Sequence, residues 1–90
     1  KFLSFAKSAI QEGDIEKKFI YINKAIAIFD ELRSVLDFDG GDVAYYLDGL
    51  YLYQIETLFS AGIDDNINSI NQVMKVTQGL IEAWKDETGL

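Results

Sequence analysis

Four stretches of helical period, free of proline and cut apart by glycine–acid junctions, leave this chain little to fold into except helices laid side by side. The first stretch runs from Phe2 to about Glu12. Gly13-Asp14 ends it and opens the next, glycine suiting a left-handed stop and aspartate capping free N–H groups. The second then continues to about Asp37. Gly40-Gly41-Asp42 reads as the same device, with a third helix from Val43 to Ala61. Gly62, ahead of Asp64-Asp65, reads as a further stop, and a fourth helix follows from Asn66 to about Glu87. No segment alternates as a strand would. Short connections favour antiparallel neighbours, so the expected architecture is all-α: an antiparallel up-down four-helix bundle, one domain over residues 1–90.

The lengths do not match. A rod of roughly 22 residues is about 33 Å long, and the later three helices are near that, whereas the first has about half of it. Lys1 is not methionine and stands directly on the helical pattern without a capping residue. The expectation is an internal start, with a shortened first helix that would need about two or three more turns to match its neighbours.

Composition removes most chemistry. With no histidine and no cysteine there is no histidine general base, thiolate nucleophile, disulfide or His–Cys metal site. The net charge of −7 is confined: residues 34–74 hold seven acids and no cation, and the remainder balances at eight against eight. Such a middle repels phosphate backbones and anionic membrane surfaces, so no nucleic-acid partner is expected. No uncharged run reaches 18 residues, so no membrane insertion is expected either. Asp37-Phe38-Asp39-Gly40-Gly41-Asp42 hints at a calcium loop, but its glycine is misplaced and position five lacks a side-chain oxygen; capping explains these residues better. Paired acids such as Asp30/Glu31 sit adjacent on polar faces. No phosphate loop or nucleophile elbow occurs, so no catalytic, cofactor or metal site is expected.

The apolar content, 49%, is high for so short a chain, and its placement is informative. In the fourth helix Ile67, Ile70, Met74, Thr77, Ile81 and Trp84 form one seam, with Trp84 expected to plug the end of the bundle. The second helix has two. Ile15, Phe19, Ile22, Ile26, Phe29 and Leu36, interrupted by Arg33, form the first; Tyr21, Ala25, Ile28, Leu32 and Val35 form another about 100° round. In the third helix Val43, Ala44, Tyr45, Tyr46, Leu47, Leu50, Tyr51, Leu52, Tyr53, Ile55, Leu58 and Phe59 point in nearly every direction. A helix apolar all round belongs in a large interior, and this chain is too small to provide one. Tyrosine tolerates both burial and water and is enriched at interfaces. Contact with two bundle neighbours also accounts for a wide arc on the second helix, and core plus ordinary exposure for the third. On the partner reading the surplus marks Tyr21, Ile28, Leu32 and Val35 on the second helix, and Leu50, Tyr51 and Tyr53 on the third, as the candidate partner-binding residues.

These residues also carry a resemblance. Glu31-Leu32-Arg33-Ser34-Val35-Leu36-Asp37, then Gly40-Gly41-Asp42-Val43-Ala44, then Leu47, Leu50-Tyr51, Tyr53, Leu58 and Ala61 resemble the flagellin-specific export chaperone family, FliS. Asp14-Ile15-Glu16-Lys17-Lys18 and Glu82-Ala83-Trp84-Lys85 fit the same pattern, so the likeness covers essentially the whole chain. Gly62 departs from it, standing where a polar residue is expected, and reads as a variant helix stop. The resemblance implies a small cytoplasmic bundle that binds the disordered C-terminal segment of flagellin, prevents premature polymerisation and helps deliver it to the type III export apparatus. It also implies coupled folding, the cargo becoming helical as it settles into apolar grooves. On this resemblance, an N-terminal segment of the family, thought to cover part of the binding surface, is expected to be missing from the sequence as given. The rival reading is a generic interaction bundle that self-associates, as a homodimer, through the same faces.

Overall fold

A computed structural model describes residues 2–88, with side-chain surroundings for residues 2–39 and 41–83. Among them are four α-helices and one short 3₁₀ turn: α1 (Phe2–Glu12), α2 (Ile15–Ser34), η1 (Phe38–Gly40), α3 (Asp42–Asp64) and α4 (Ile67–Thr88). Cross-helix pairs show the direction of each. Arg33 meets Asp48, Phe29 meets Tyr51, and Ile22 lies beside Gly62, so residue numbers fall on α2 as they rise on α3. Phe2 under Lys24 with Ile10 beside Lys18, and Leu3 near Leu80 with Lys7 bonded to Asn71, set α1 antiparallel to both α2 and α4. The fold is the expected all-α bundle with a short first helix of 11 residues against 20, 23 and 22.

The junctions follow local chemistry, though not always the expected residue. Gly13, at φ 75°, closes α1: its N–H donates to Ile10 O and that of Asp14 to Ala9 O, which satisfies two orphan carbonyls. Asp14 then caps α2 by accepting from Lys17 N at 3.0 Å. The α2–α3 junction differs from the expected glycine–aspartate device. α2 ends at Ser34, not Asp37; its cap, Val35, is in ordinary backbone, and Asp37 caps η1 by accepting from Asp39 N. Gly41 precedes α3 at φ 94° and Asp42 is already the first helical residue.

The α3–α4 junction corrects the reading of Gly62. α3 runs on through Ile63 and Asp64, and the left-handed stop is Asp65 at φ 55°. The N–H of Asn66 reaches Ala61 O at 3.1 Å, the same wrap used at Gly13. Asn66 rather than an aspartate caps α4, its Oδ1 accepting from Ser69 N. Gly62 is a packing residue instead: a Cβ there would lie 3.1 Å from Ile22 Cδ1 and 3.2 Å from Phe19 Cε1, so its absence lets α2 and α3 close together.

The core gathers Leu3 and Ala6 of α1, Ile22, Ala25 and Phe29 of α2, Leu58 and Ala61 of α3, and Ile70 and Val73 of α4. Full burial of Ile22, Leu58, Ile70 and Val73 contributes roughly 1.5–3 kcal/mol each. The molecule is only 18 Å across its shortest axis, the thickness of two helix layers, so no helix is enclosed on all sides. That leaves the all-round apolar α3 with one flank facing outward. The expected end plug, Trp84, lies outside the described side chains. No described helix is long and apolar enough to cross a membrane.

Candidate interaction surfaces

α2 outruns α1. Phe2, the first described residue of α1, stacks on Tyr21 at 6.5 Å with Lys24 over its ring, whereas α2 continues to Ser34. Beyond Phe2 the three long helices frame an apolar cleft of about 720 Å³. Ile28 and Leu32 of α2, Leu47 and Tyr51 of α3, and Leu80 and Ile81 of α4 line it, with Phe2 and Leu3 at its end. Thr77 and the phenol of Tyr51 are its polar side chains, and the Thr77 hydroxyl donates to Val73 O at 2.8 Å. The cleft therefore offers an occupant mainly apolar contact. A helix, which satisfies its own N–H and C=O groups, suits such a lining.

The seven candidate residues divide among four places. Ile28, Leu32 and Tyr51 meet in the cleft, Tyr51 half-buried with its ring 6.1 Å from that of Phe29. Val35, at the end of α2, is 74% exposed and outside the cleft lining. Tyr21 lies farther back on α2, its ring occupied by Phe2 and by Phe5 at 5.1 Å. Leu50 is half-buried and Tyr53 is 61% exposed on the outer side of α3.

That outer side extends further than those two positions. Val43, Tyr45, Tyr46, Phe59 and Ile63 of α3 are all exposed, Tyr46 at 70%. The all-round apolarity of α3 was the available signal, but periodicity cannot choose which arc of such a helix faces its neighbours. Ile63 was hidden by ending α3 at Ala61.

Electrostatics tie the frame together. Arg33, which interrupts the first α2 seam, donates from Nε to Asp48 Oδ1 at 2.8 Å and lies 3.7 Å from Asp30. The hydrogen bond to Asp48 raises the guanidinium above its ordinary value. Lys18 is 5% exposed and donates to Asp65 Oδ1 at 2.6 Å. Among the described residues no three acids converge as metal ligands.

Comparison with known proteins gives a consistent picture. The family model described as "Flagellar protein FliS" matches residues 1–88. The chain is similar to the flagellar secretion chaperone FliS of Campylobacter jejuni, 44% identical over 87 residues that cover 96% of this chain and 68% of that protein. It is 34% identical over 82 residues to the flagellar secretion chaperone FliS of Salmonella typhimurium, covering 89% of this chain and 61% of the relative. Flagellar secretion chaperone FliSB of Pseudomonas aeruginosa is 34% identical over 83 residues, covering 91% and 66%. The chain thus spans about two-thirds of the length of these curated relatives.

Proposed function

Since the chain belongs to the FliS family, we propose that it acts as a non-enzymatic flagellar export chaperone in the cytoplasm, binding the disordered C-terminal segment of flagellin. The observation that carries this reading is apolar surface turned outward on α2 and α3: Val35 and Tyr53, with Tyr45, Tyr46 and Phe59 beside them. A monomeric domain gains nothing by placing such residues in water, whereas a cargo chain that folds on contact buries them. The contact set is Tyr21, Ile28, Leu32, Val35, Leu50, Tyr51 and Tyr53, with Tyr21 acting from the rear of α2 where its ring braces α1.

Holding flagellin's terminal segment in helical form keeps it from pairing with other flagellin subunits, which prevents premature polymerisation, and delivers it to the export apparatus. Residues 1–90 act as one bundle domain in this scheme. The acidity of residues 34–74 keeps the exposed faces soluble until cargo arrives.

A flagellin C-terminal peptide titrated into the chain tests the proposal. Saturable heat and a gain of helicity by circular dichroism are expected; neither heat nor helicity would overturn it. The second reading is self-association through the same exposed apolar faces, Val35 of α2 and Tyr53 of α3 among them. Light scattering at rising concentration separates the two. A homodimer that dissociates as peptide binds makes the two uses competitive, and a dimer indifferent to peptide would leave the faces to self-association alone.

A further inference from the structure

The outer stripe of α3 carries a glycine that the fold does not need. Gly49 is exposed, in ordinary helical backbone, and a Cβ added there would meet nothing within 4 Å. Glycine is less stable than alanine inside a helix, and here neither packing nor a positive φ requires it. Its neighbours along the stripe are Tyr46 at i−3 and Tyr53 at i+4, both exposed rings. The two tyrosines are seven positions apart, about 10.5 Å along the axis, close to the diameter of one α-helix with its side chains. The result is a saddle: two rings standing on either side of bare backbone.

The saddle is acidic at both ends. Asp42 lies seven residues before Gly49 and Glu56 seven after, with Asp64 two further turns on, and all three are exposed. None of them forms an ion pair among the described residues, in contrast to Asp48 and Asp65. Asp64 also stands at the negative end of the α3 dipole, where a cation is favoured and Lys18 serves only Asp65.

We propose that this stripe is a docking site for an α-helix of another protein, one that crosses α3 at Gly49 between Tyr46 and Tyr53 and carries Lys or Arg on its flanks. The glycine lets the two backbones approach, as small residues do at close helix crossings. The cationic side chains lay their stems and heads over the tyrosine faces while reaching Asp42 and Glu56. A second copy of this chain does not fit, because its corresponding face would bring acid against acid at a net charge of −7 each. The proposal rests on reading the outer side of α3 as part of the interaction surface, and adds the chemistry and crossing point of the helix it accepts.

The test uses two designed 18-residue helical peptides with the same alanine–leucine contact face, one flanked by lysines and one by glutamates. Each is titrated into the chain and into Gly49→Leu. The lysine peptide is expected to bind, more weakly as salt rises, and at least tenfold better than the glutamate peptide. Gly49→Leu should lose at least tenfold in that binding while its thermal midpoint rises, a combination that misfolding cannot produce. Equal binding of both peptides, or undiminished binding to Gly49→Leu, overturns the proposal. The flagellin segment is titrated into the same samples. If it binds through the α2 seam while the lysine peptide does not, the saddle is wrong and the chaperone reading stands.

Discussion

Lys18 Nζ lies 2.6 Å from Asp65 Oδ1, which joins a buried cation of α2 to the left-handed residue that ends α3. The two residues are 47 positions apart, so one contact fixes both the stop of a helix and its docking against another. Asp65 does two jobs. It adopts a backbone conformation that most residues resist, and it neutralises an ammonium that water scarcely reaches.

Asp65→Asn separates these jobs, since asparagine also tolerates the left-handed region. Losing the carboxylate leaves Lys18 buried and unpaired, but the aspartate side of the pair is open to water, which reduces the penalty. A loss of about 1–2 kcal/mol is expected in urea unfolding. Lys18→Met in the same background should recover most of it, because the apolar stem then fills its site without a charge. Asp65→Ala should fall about 1 kcal/mol below Asp65→Gly, reporting the backbone term alone.

Gly62 is the second device that holds α2 to α3. Gly62→Ala gains helix propensity, yet its Cβ presses on Ile22, which is buried and cannot move, and on Phe19, which is partly exposed and can. The two effects are each about 1 kcal/mol and should nearly cancel. Gly62→Leu overpacks the contact and should cost about 2–3 kcal/mol, read as a shift of the urea midpoint at unchanged slope.

The Arg33–Asp48 pair spans α2 and α3 at their other end, where the helices flank the cleft. Both side chains keep partial access to water, so Asp48→Asn is expected to lower the urea midpoint only slightly. A double-mutant cycle with Arg33→Met should return a small coupling that shrinks at 1 M salt, where the screening length is about 3 Å.

Val35→Asp and Tyr53→Asp probe the proposed cargo surface without touching the core. Each site is more than half exposed, so stability should change by no more than about 0.5 kcal/mol. Affinity for the flagellin C-terminal segment should fall about tenfold or more, measured by calorimetry. Unchanged affinity in both variants would remove these residues from the contact set.

Part of the exposed apolar surface was visible in residue pattern. The two seams of α2 divide only in part: Ile22 of the first and Ala25 of the second are both in the core, Phe29 shares core and cleft, Ile28 and Leu32 line the cleft, and Ile15 is exposed. Tyr21 shows where pattern runs out. It belongs to the surplus seam by spacing, but α1 crosses α2 at that height and takes the ring, and crossing height is set by where the helices pack. Lys18 carried no signal at all, since one lysine among polar neighbours looks solvated until Asp65 arrives from 47 residues away. For Gly62 the usual association of glycine with helix ends pointed the wrong way, because a residue without a side chain also permits close packing.

Sequence alone determined the elements and their order, because helical period, junction residues and the lack of proline act within a few positions of each other. It also determined that the chain holds more apolar helix surface than two layers can cover. Which arc of α3 would remain outside, and that Tyr46, Gly49 and Tyr53 would share it, was decided only when α2, α4 and η1 took the other arcs. A helix apolar all round has no local preference among its faces, so its neighbours choose.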